Sequence, residues 1–341
     1  MSGSPAALFS QGAEYGDWIM IIRSEIKLVT GNANRDLARK IAAYLGEPLA
    51  DCEVRSFSDG EVFVQINDNI RGADLFIIQS TNAPAENLME LLMLIEASRR
   101  ASAMRITAVI PYYGYARQDR KDRPRVPITA KLVANLITTA GADRIITMDL
   151  HASQIQGFFD LPHDHLYSSW IFNDYVRNMN LENLVVVSPD VGSLKLARST
   201  ANTLHADLAI VDKRRARANV SEVMSLIGDV ADKNVLIRDD MVDTAGSICQ
   251  ASDYLKARGA RDIYAACTHG VLSGQALERI ENSPIKKVII SDSIDQSQKQ
   301  LGGKYVILTC SDLIGESIRR ISGEESVSSL FEEAPTKGKE S

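Results

Sequence analysis

The sequence predicts an α/β protein built from mostly parallel sheets flanked by helices. From Lys27 onward, short runs of Val, Ile and Leu alternate with longer amphipathic stretches, the pattern of parallel strands joined by crossover helices. Most of the runs are continuously apolar, as strands covered on both faces are. Because 341 residues exceed the usual size of one domain, we expect two domains, each with its own core.

Nine aliphatic runs are the predicted strands. They cover residues 75–79, 106–110, 144–148, 184–187, 208–211, 235–237, 263–266, 288–290 and 306–308. Residues 51–66 differ, because two extended stretches flank the turn tripeptide Ser58-Asp59-Gly60 and predict a β-hairpin. Helices are predicted over residues 248–258 and about 312–321.

A weak internal repeat supports two similar halves. Gly141-Ala142 precedes one strand and Gly259-Ala260 another, and a histidine, His151 or His269, follows ten residues later in each case. We predict a disordered extension over residues 1–25 and domains over residues 26–166 and 167–311. A last helix, within about 312–331, is expected to pack back on the first half.

Composition excludes several classes of protein. The net charge of −6 argues against a dedicated nucleic-acid binder, whose phosphate contacts need a basic surface. The four cysteines, Cys52, Cys249, Cys267 and Cys310, form no C-x-x-C pair, so we expect reduced core thiols and not zinc or disulfides. No apolar run is long enough to span a membrane and no secretory signal is visible, so a cytoplasmic protein is predicted.

The segment from residue 235 to residue 247 carries the clearest chemical signal. An apolar strand runs into Asp239 and Asp240 and then into the small-residue turn Thr244-Ala245-Gly246-Ser247, which opens a helix. Backbone N–H groups at such a turn bind phosphate, with the hydroxyls as further donors, while the acids accept hydrogen bonds from vicinal hydroxyls or hold Mg²⁺ through water. This combination suits ribose 5-phosphate. The alternative is a simple helix cap with solvated acids.

Two basic segments follow other predicted strands. Arg117, in the aromatic and basic stretch 112–121, is suited to bidentate contact with phosphate oxygens. Lys213-Arg214-Arg215-Ala216-Arg217 follows the strand at 208–211, where cations would face the 239–247 loop if strand ends converge on one crevice. Solvated, mixed-charge loops are the alternative for both segments.

Two further side chains end neighbouring apolar runs and are candidate Mg²⁺ ligands. Asp190 offers the oxygen that Mg²⁺ prefers, whereas His151 is a less expected ligand and could equally be a hydrogen-bonded structural histidine. The remaining histidines lack metal-ligand spacing and receive no role. Neither a G-x-x-x-x-G-K-[ST] loop nor a G-x-G-x-x-G motif is present, which disfavours P-loop kinases and dinucleotide enzymes.

Taken together, these motifs closely resemble the ribose-phosphate pyrophosphokinase family over about residues 26–331. The 239–247 loop on its own resembles the phosphoribosyl pyrophosphate fingerprint of type I phosphoribosyltransferases, with Ser247 where Thr is usual. The resemblance rests on six segments in order, namely 55–61, 110–120, 149–152, 188–190, 213–215 and 239–247. It implies two type I phosphoribosyltransferase-like domains, each a mostly parallel sheet flanked by helices.

The resemblance also implies an activity and a role for each motif. The activity is transfer of the β,γ-diphosphoryl group of ATP to the C1 hydroxyl of ribose 5-phosphate, with Mg²⁺ as cofactor. The implied roles are Lys213 and Arg215 at the transferring group; His151 and Asp190 at the metal; Arg117 and Gln118 at ATP, with Phe57, Asp59, Gly60 and Glu61 reaching it from a neighbouring subunit; and Asp239, Asp240, Asp243, Thr244, Ala245, Gly246 and Ser247 at ribose 5-phosphate.

Members of the family are typically hexamers, and many respond to phosphate and ADP at an interface site. Positions matching that site are Arg71, Asp122, Arg125, Ser153, Gln156, Asp164, Ser326 and Ser328. The chain departs from the regulated pattern at Asn69, Pro124 and His165, and Ala216 replaces the Pro that usually follows Lys-Arg-Arg. These departures bear on regulation and on the mobility of the basic loop more than on chemistry.

Two other functions fit part of the sequence. A phosphoribosyltransferase that consumes phosphoribosyl pyrophosphate would share the 239–247 loop and leave the first half unexplained. A non-catalytic associated or regulatory subunit would keep the fold, but could lose the metal and basic-loop residues, all of which are present here.

Overall fold

The computed structural model describes residues 25–214 and 223–331. The first half of the chain forms a five-stranded parallel sheet in the order β1-β4-β5-β6-β7 and a separate antiparallel hairpin, β2-β3. The strands are β1 (Ile26–Thr30), β2 (Cys52–Ser56), β3 (Val62–Ile66), β4 (Asp74–Ile78), β5 (Arg105–Ile110), β6 (Arg144–Met148) and β7 (His163–Leu166). The helices between them are α1 (Arg35–Leu45), α2 (Glu86–Arg100) and α3 (Thr129–Ala140).

The second half forms a seven-stranded sheet that is parallel except at one edge. Its order is β10-β9-β8-β11-β12-β13-β14, and among the described strands of this sheet only the β9–β10 pair is antiparallel. The strands are β8 (Leu184–Ser188), β9 (Asp207–Arg214), β10 (Val223–Ile227), β11 (Asn234–Val242), β12 (Ile263–Gly270), β13 (Ile285–Ser291) and β14 (Tyr305–Leu308). The helices are α4 (Ser169–Asn178), α5 (Leu194–Leu204), α6 (Gly246–Ala257), α7 (Ala276–Glu281) and α8 (Ser311–Ser322).

Each sheet is covered on both faces, so successive residues of a strand enter different cores. In β8, Val185 and Val187 pack with α6 and α7, whereas Val186 between them packs with α4 and α5. The first sheet is arranged in the same way, with α2 and α3 on one face and α1 and α8 on the other. This two-sided burial is why the strands read as continuous apolar runs in the sequence.

The last helix, α8, covers the first sheet although it follows the second sheet in the chain. Its Leu313, Ile314 and Ile318 are buried with Leu37 and Ile41 of α1. The helix ends at Ser322, and after Gly323 the chain continues to a short 3₁₀ helix, Ser328–Leu330. The expected helix within about 312–331 therefore ends at residue 322.

The predicted α/β class with helix-flanked parallel sheets is confirmed, as are the nine strands and the hairpin. Gln79 lies one residue beyond β4. Three strands were not predicted, namely β1, β7 and β10. All three are at sheet edges, and the His163-Asp164-His165-Leu166 sequence of β7 has no apolar run. Three cysteines are buried and free, as expected, while Cys52 is only half-buried.

Candidate active site between the two sheets

Two side-chain contacts join loops at the carboxyl ends of the two sheets. His151, three residues beyond β6, places Nδ1 2.9 Å from Oδ2 of Asp240 in β11. Arg117, in the loop after β5, donates from Nη1 to Oδ2 of Asp243 at 2.6 Å. The carboxyl ends of parallel strands are where open α/β sheets bind ligands, and here two such edges meet.

The turn after β11 has the backbone of an anion site. Ala245 has a left-handed backbone with φ of 60°, and α6 begins at Gly246, so the turn lies at the positive end of a helix. The Thr244 carbonyl accepts a 2.8 Å hydrogen bond from Arg279 Nη1, which brings a guanidinium to the turn. Sequence analysis missed Arg279, because it lies on α7, 35 residues further along the chain.

The paired acids of β11 differ in environment. Asp239 is 9% exposed, and its Oδ1 accepts hydrogen bonds from Ser193 Oγ and from the Asp240 amide. Burial, together with the neighbouring charge of Asp240, raises the pKa of Asp239 well above its usual range. Burial is the largest single effect on Asp240 and acts in the same direction, but the hydrogen bond and charge of His151, the hydrogen bond with Asp239 and the charge of His269 together outweigh it, and the pKa of Asp240 is lowered. The pair therefore carries its negative charge mainly on Asp240.

Asp243 is more accessible than Asp239. Its carboxylate accepts hydrogen bonds from Ser273 Oγ and from Arg117. Burial tends to raise its pKa, and these two donors lower it below the usual value. Asp243 is therefore ionised at neutral pH and is an acceptor at the junction of the two halves.

The candidate metal ligands His151 and Asp190 follow β6 and β8. The hydrogen bond to Asp240 raises the pKa of His151, against the effect of burial, and orients the imidazole through Nδ1. Metal-binding histidines commonly have such a carboxylate on the ring nitrogen that does not bind the metal. Asp190 is half-buried, and its Oδ1 accepts a 3.1 Å hydrogen bond from the Ser193 amide.

The candidate ATP-binding residues fall into two groups. Arg117 and Gln118 are exposed in the loop after β5. Phe57, Asp59, Gly60 and Glu61 are exposed at the tip of the β2–β3 hairpin, where Asp59 Oδ1 accepts from the Glu61 amide at 3.0 Å. Among the described residues, no hydrogen bond or ion pair joins the tip to Arg117 or Gln118. The neighbouring-subunit role of the tip stays a prediction.

The predicted basic loop lies mostly outside the described residues. Strand β9 runs to Arg214, and its backbone pairs Lys213 with Met224 of β10. The side chain of Lys213 is not described, and Arg215, Ala216 and Arg217 lie outside the described ranges. Their predicted roles at the transferring group stay predictions.

The predicted effector residues are dispersed over several elements. Ser153 and Gln156 lie in the 3₁₀ helix Ser153–Phe158, and Asp164 of β7 forms an ion pair with Arg144. Of the eight residues, only Ser326 and Ser328 hydrogen-bond to each other within the described chain, at 2.9 Å. Arg71, Asp122 and Arg125 are exposed. Their predicted role as an effector site stays a prediction.

Two buried residues near the site were given no role from sequence. Arg238 precedes Asp239 in β11 and is fully buried, and His269 in β12 is 2% exposed. Each had a signal in the sequence, since Arg238 interrupts an aliphatic run and His269 is the repeat partner of His151. His269 hydrogen-bonds to the carbonyl oxygens of Met148 and Asp149, just before His151 in the chain, and Arg238 hydrogen-bonds to the Ser168 and Thr268 hydroxyls.

Comparison with known proteins gives consistent matches in both halves. Residues 26–141 match the N-terminal domain of ribose phosphate pyrophosphokinase, and residues 215–332 match a phosphoribosyl synthetase-associated domain. Within the described residues, no helix is long and apolar enough to cross a membrane.

Named relatives extend over nearly the whole chain. Ribose-phosphate pyrophosphokinase of Chlorobaculum tepidum is 61% identical over 91% of this chain and 96% of its own length. That of Clostridium tetani is 55% identical, covering 91% of this chain and 98% of its own. The crystal structure of phosphoribosylpyrophosphate synthetase from Mycobacterium smegmatis superposes with a TM-score of 0.84 at 39% identity, covering 88% of this chain and all of that one. The chain belongs to the ribose-phosphate pyrophosphokinase family.

Proposed function

We propose that this protein transfers the β,γ-diphosphoryl group of ATP to the C1 hydroxyl of ribose 5-phosphate, giving 5-phosphoribosyl 1-pyrophosphate and AMP. The observation that carries the proposal is the meeting of His151 with Asp240 and of Arg117 with Asp243. These two contacts bring a candidate metal ligand and a candidate ATP ligand to the loop suited to a sugar phosphate. Family membership agrees with this activity.

In this reaction the C1 oxygen bonds to the β-phosphorus of ATP and its hydroxyl proton passes to water. The bond from that phosphorus to the α,β-bridging oxygen breaks, and AMP leaves with the electron pair of that bond. The nucleophile belongs to the substrate, so the protein contributes positioning and electrostatic stabilisation. We assign the 5-phosphate to the turn of Thr244, Ala245, Gly246 and Ser247, and the ribose hydroxyls to Asp239 and Asp243. Arg117 and Gln118 hold ATP, and Lys213 and Arg215 neutralise the transferring group. Asp240, which sequence placed at the ribose, is assigned to orient His151.

The residues fit a Mg²⁺ ion that arrives with ATP. Among residues 25–214 and 223–331, no three His, Cys, Asp or Glu side chains are grouped closely enough to hold a metal by themselves. Mg²⁺ in phosphoryl-transfer sites usually takes one or two protein ligands, with phosphate oxygens and waters completing the shell. His151 and Asp190 would be those ligands, and the bound ion would neutralise charge on the diphosphoryl group.

We further propose that the protein works as a homo-oligomer, on the family pattern a hexamer, in the cytoplasm. The exposed hairpin tip, with Phe57 45% exposed, supports a role in completing the ATP site of a neighbouring subunit. Phosphate and ADP are the proposed effectors, acting where the dispersed residues 71, 122, 125, 153, 156, 164, 326 and 328 of adjacent subunits would meet.

The test is to incubate the purified protein with ribose 5-phosphate, ATP, Mg²⁺ and phosphate and to separate the products by chromatography. We expect AMP and phosphoribosyl pyrophosphate in equal amounts, and a loss of kcat of at least about 100-fold in Lys213→Ala with the fold intact, since such a cation acts on the transition state. ADP formation in place of AMP would contradict diphosphoryl transfer. Native turnover in Lys213→Ala would contradict the role of that residue.

A further inference from the structure

The chain between β6 and His151 is held by the second half of the molecule. Asp149, two residues before His151, has a left-handed backbone with φ of 37°, a conformation that costs a non-glycine residue about 1 kcal/mol or more. Such a conformation persists only where surrounding contacts impose it. The contacts that do so come mainly from β12.

His269 binds the backbone of this segment. Its Nε2 lies 3.1 Å from the carbonyl oxygen of Met148 and 3.2 Å from that of Asp149. Carbonyl oxygens only accept, so Nε2 carries the proton and donates to both. Nδ1 lies 2.9 Å from Ser293 Oγ and accepts from it. The imidazole is thereby fixed at both nitrogens between the two halves.

The side chain of Asp149 is held as firmly as its backbone. Its carboxylate accepts hydrogen bonds from Thr268 Oγ1 at 2.6 Å and from the hydroxyl and amide of Ser168. Arg238 Nη2 lies 3.7 Å from the same carboxylate and donates to Ser168 Oγ at 2.8 Å. Arg238 is fully buried, so this charge pair is shielded from solvent.

Strand β11, which contains Arg238, also contains Asp240, the partner of His151. Arg238 and Asp240 are two residues apart in β11 and therefore point to the same side of the sheet. Their first-half partners, Asp149 and His151, are also two residues apart. In each segment, the buried pair Asp149–Arg238 thus comes two residues before the pair His151–Asp240. The second pair is accessible to ligands.

We propose that Asp149, Arg238, Thr268 and His269, here called the inter-sheet cluster, are positioning residues that fix the His151 imidazole for the metal. This inference rests on the proposed metal role of His151 and deepens it. Hydrogen-bond partners behind metal ligands typically change metal affinity by 10–100-fold when removed. The cluster does not contact the His151 side chain directly but holds the backbone that precedes His151.

The competing explanation is that the cluster only joins the two halves. Lys40 supplies a matched control, since it also bridges the halves, with Nζ 3.1 Å from Oδ2 of Asp292, and has no contact with the cluster among the described residues. A purely structural role predicts that Lys40→Met and cluster variants affect metal binding alike. A positioning role predicts that only cluster variants do.

The experiment uses the full protein with Mn²⁺ and an ATP analogue that resists transfer. Pulsed electron paramagnetic resonance detects nitrogen coupling from an imidazole bound to Mn²⁺, and titration gives the Mn²⁺ affinity. We expect the coupling in the native protein and its loss in His151→Ala. In His269→Phe, which keeps an aromatic ring and loses the hydrogen bonds at both ring nitrogens, we expect weaker coupling and about tenfold weaker Mn²⁺ binding. His269→Gln keeps a donor near the position of Nε2 and should restore most of both.

Thr268→Val, nearly isosteric, provides a second variant that removes the hydroxyl that donates to Asp149 and accepts from Arg238. We expect it to weaken Mn²⁺ binding in the same direction, with kcat reduced and the KM for ribose 5-phosphate little changed. Native coupling and affinity in folded His269→Phe and Thr268→Val would overturn the inference and leave the metal role of His151 standing. Absence of His151-dependent coupling in the native protein would overturn that role and this inference together.

Discussion

At Gly246 the requirements of the fold and of phosphate binding can be tested separately. Its φ is not in the left-handed region, and a Cβ added to it would meet Arg279 Nη1 and Thr244 Oγ1 at 3.8 Å, an ordinary contact distance. The free protein therefore tolerates alanine at this position. A phosphate held by the backbone N–H groups of the turn would approach much more closely than these side chains do.

We therefore predict that Gly246→Ala leaves the melting temperature near its native value and raises the KM for ribose 5-phosphate by about tenfold or more, with a small effect on the KM for ATP. Differential scanning calorimetry and steady-state kinetics measure the two effects. Gly114→Ala is the contrasting control, because its Cβ would lie 2.0 Å from the Thr81 carbonyl oxygen and should destabilise the fold. A native KM for ribose 5-phosphate in Gly246→Ala would argue against phosphate binding at this turn.

At this scale, sequence alone identified the residues that belong to contiguous motifs. The 239–247 loop, His151 and Arg117 were found because each follows an apolar run that predicts a strand end. Arg279 and the Ser193 donor to Asp239 were missed, since neither is near its partner in sequence. The pairing of Asp240 with His151 was missed for the same reason, because 89 residues separate them.

At the scale of elements, α8 is attached to α1 by a carboxylate as well as by apolar packing. Glu316 of α8 accepts hydrogen bonds from Arg319, Arg320 and, across the helix interface, Tyr44 Oη at 3.1 Å. The Arg319 hydrogen bond is the largest of the effects that lower the pKa of Glu316 to about 2 from its usual 4.5. A lowered carboxylate pKa stabilises the fold above pH 4.5, and this contribution is lost as the pH falls toward 2.

We predict that Glu316→Gln lowers the free energy of unfolding by about 1–2 kcal/mol at pH 7, and that the difference from the native protein shrinks as the pH falls from 4.5 toward 2. Urea denaturation at a series of pH values measures it. Glu325→Gln is the matched control, because its carboxylate lies 3.7 Å from Arg319 with half of the side chain exposed and should contribute little. An equal loss at pH 7 and pH 3 would mean that the Glu316 charge is not the cause.

Two of the three strands that sequence missed share a physical origin. Strands buried on both faces leave a continuous apolar signal, and eight of the nine runs that were found belong to the more deeply buried strands, β14 being the exception. The edge strands β7 and β10 are only partly covered and need no such run, whereas β1 buries Leu28 and Val29 completely but has an apolar run of only those two residues after Lys27. The placement of α8 on α1 depends on packing between segments about 270 residues apart, which local patterns predict only in outline.

At the scale of the whole molecule, the Arg117–Asp243 ion pair joins a proposed ATP ligand to a proposed ribose 5-phosphate ligand. The two side chains follow strands of different sheets and lie 2.6 Å apart, so each charge is paired with the other. Binding of either substrate then competes with this pair. Breaking the pair from one side should free the other side chain for its own substrate.

Asp243→Asn tests this competition because it removes the carboxylate charge and keeps the size of the side chain. We predict that the KM for ribose 5-phosphate rises by about tenfold, since a hydroxyl acceptor is weakened, while ATP binds severalfold more tightly in the absence of ribose 5-phosphate, since Arg117 is released. Isothermal titration calorimetry with Mg²⁺ and ATP measures the second effect. Ser273→Ala is the control, because it removes the other donor to Asp243 and leaves Arg117 paired. Weaker ATP binding in Asp243→Asn would show that the pair assists ATP binding and does not compete with it.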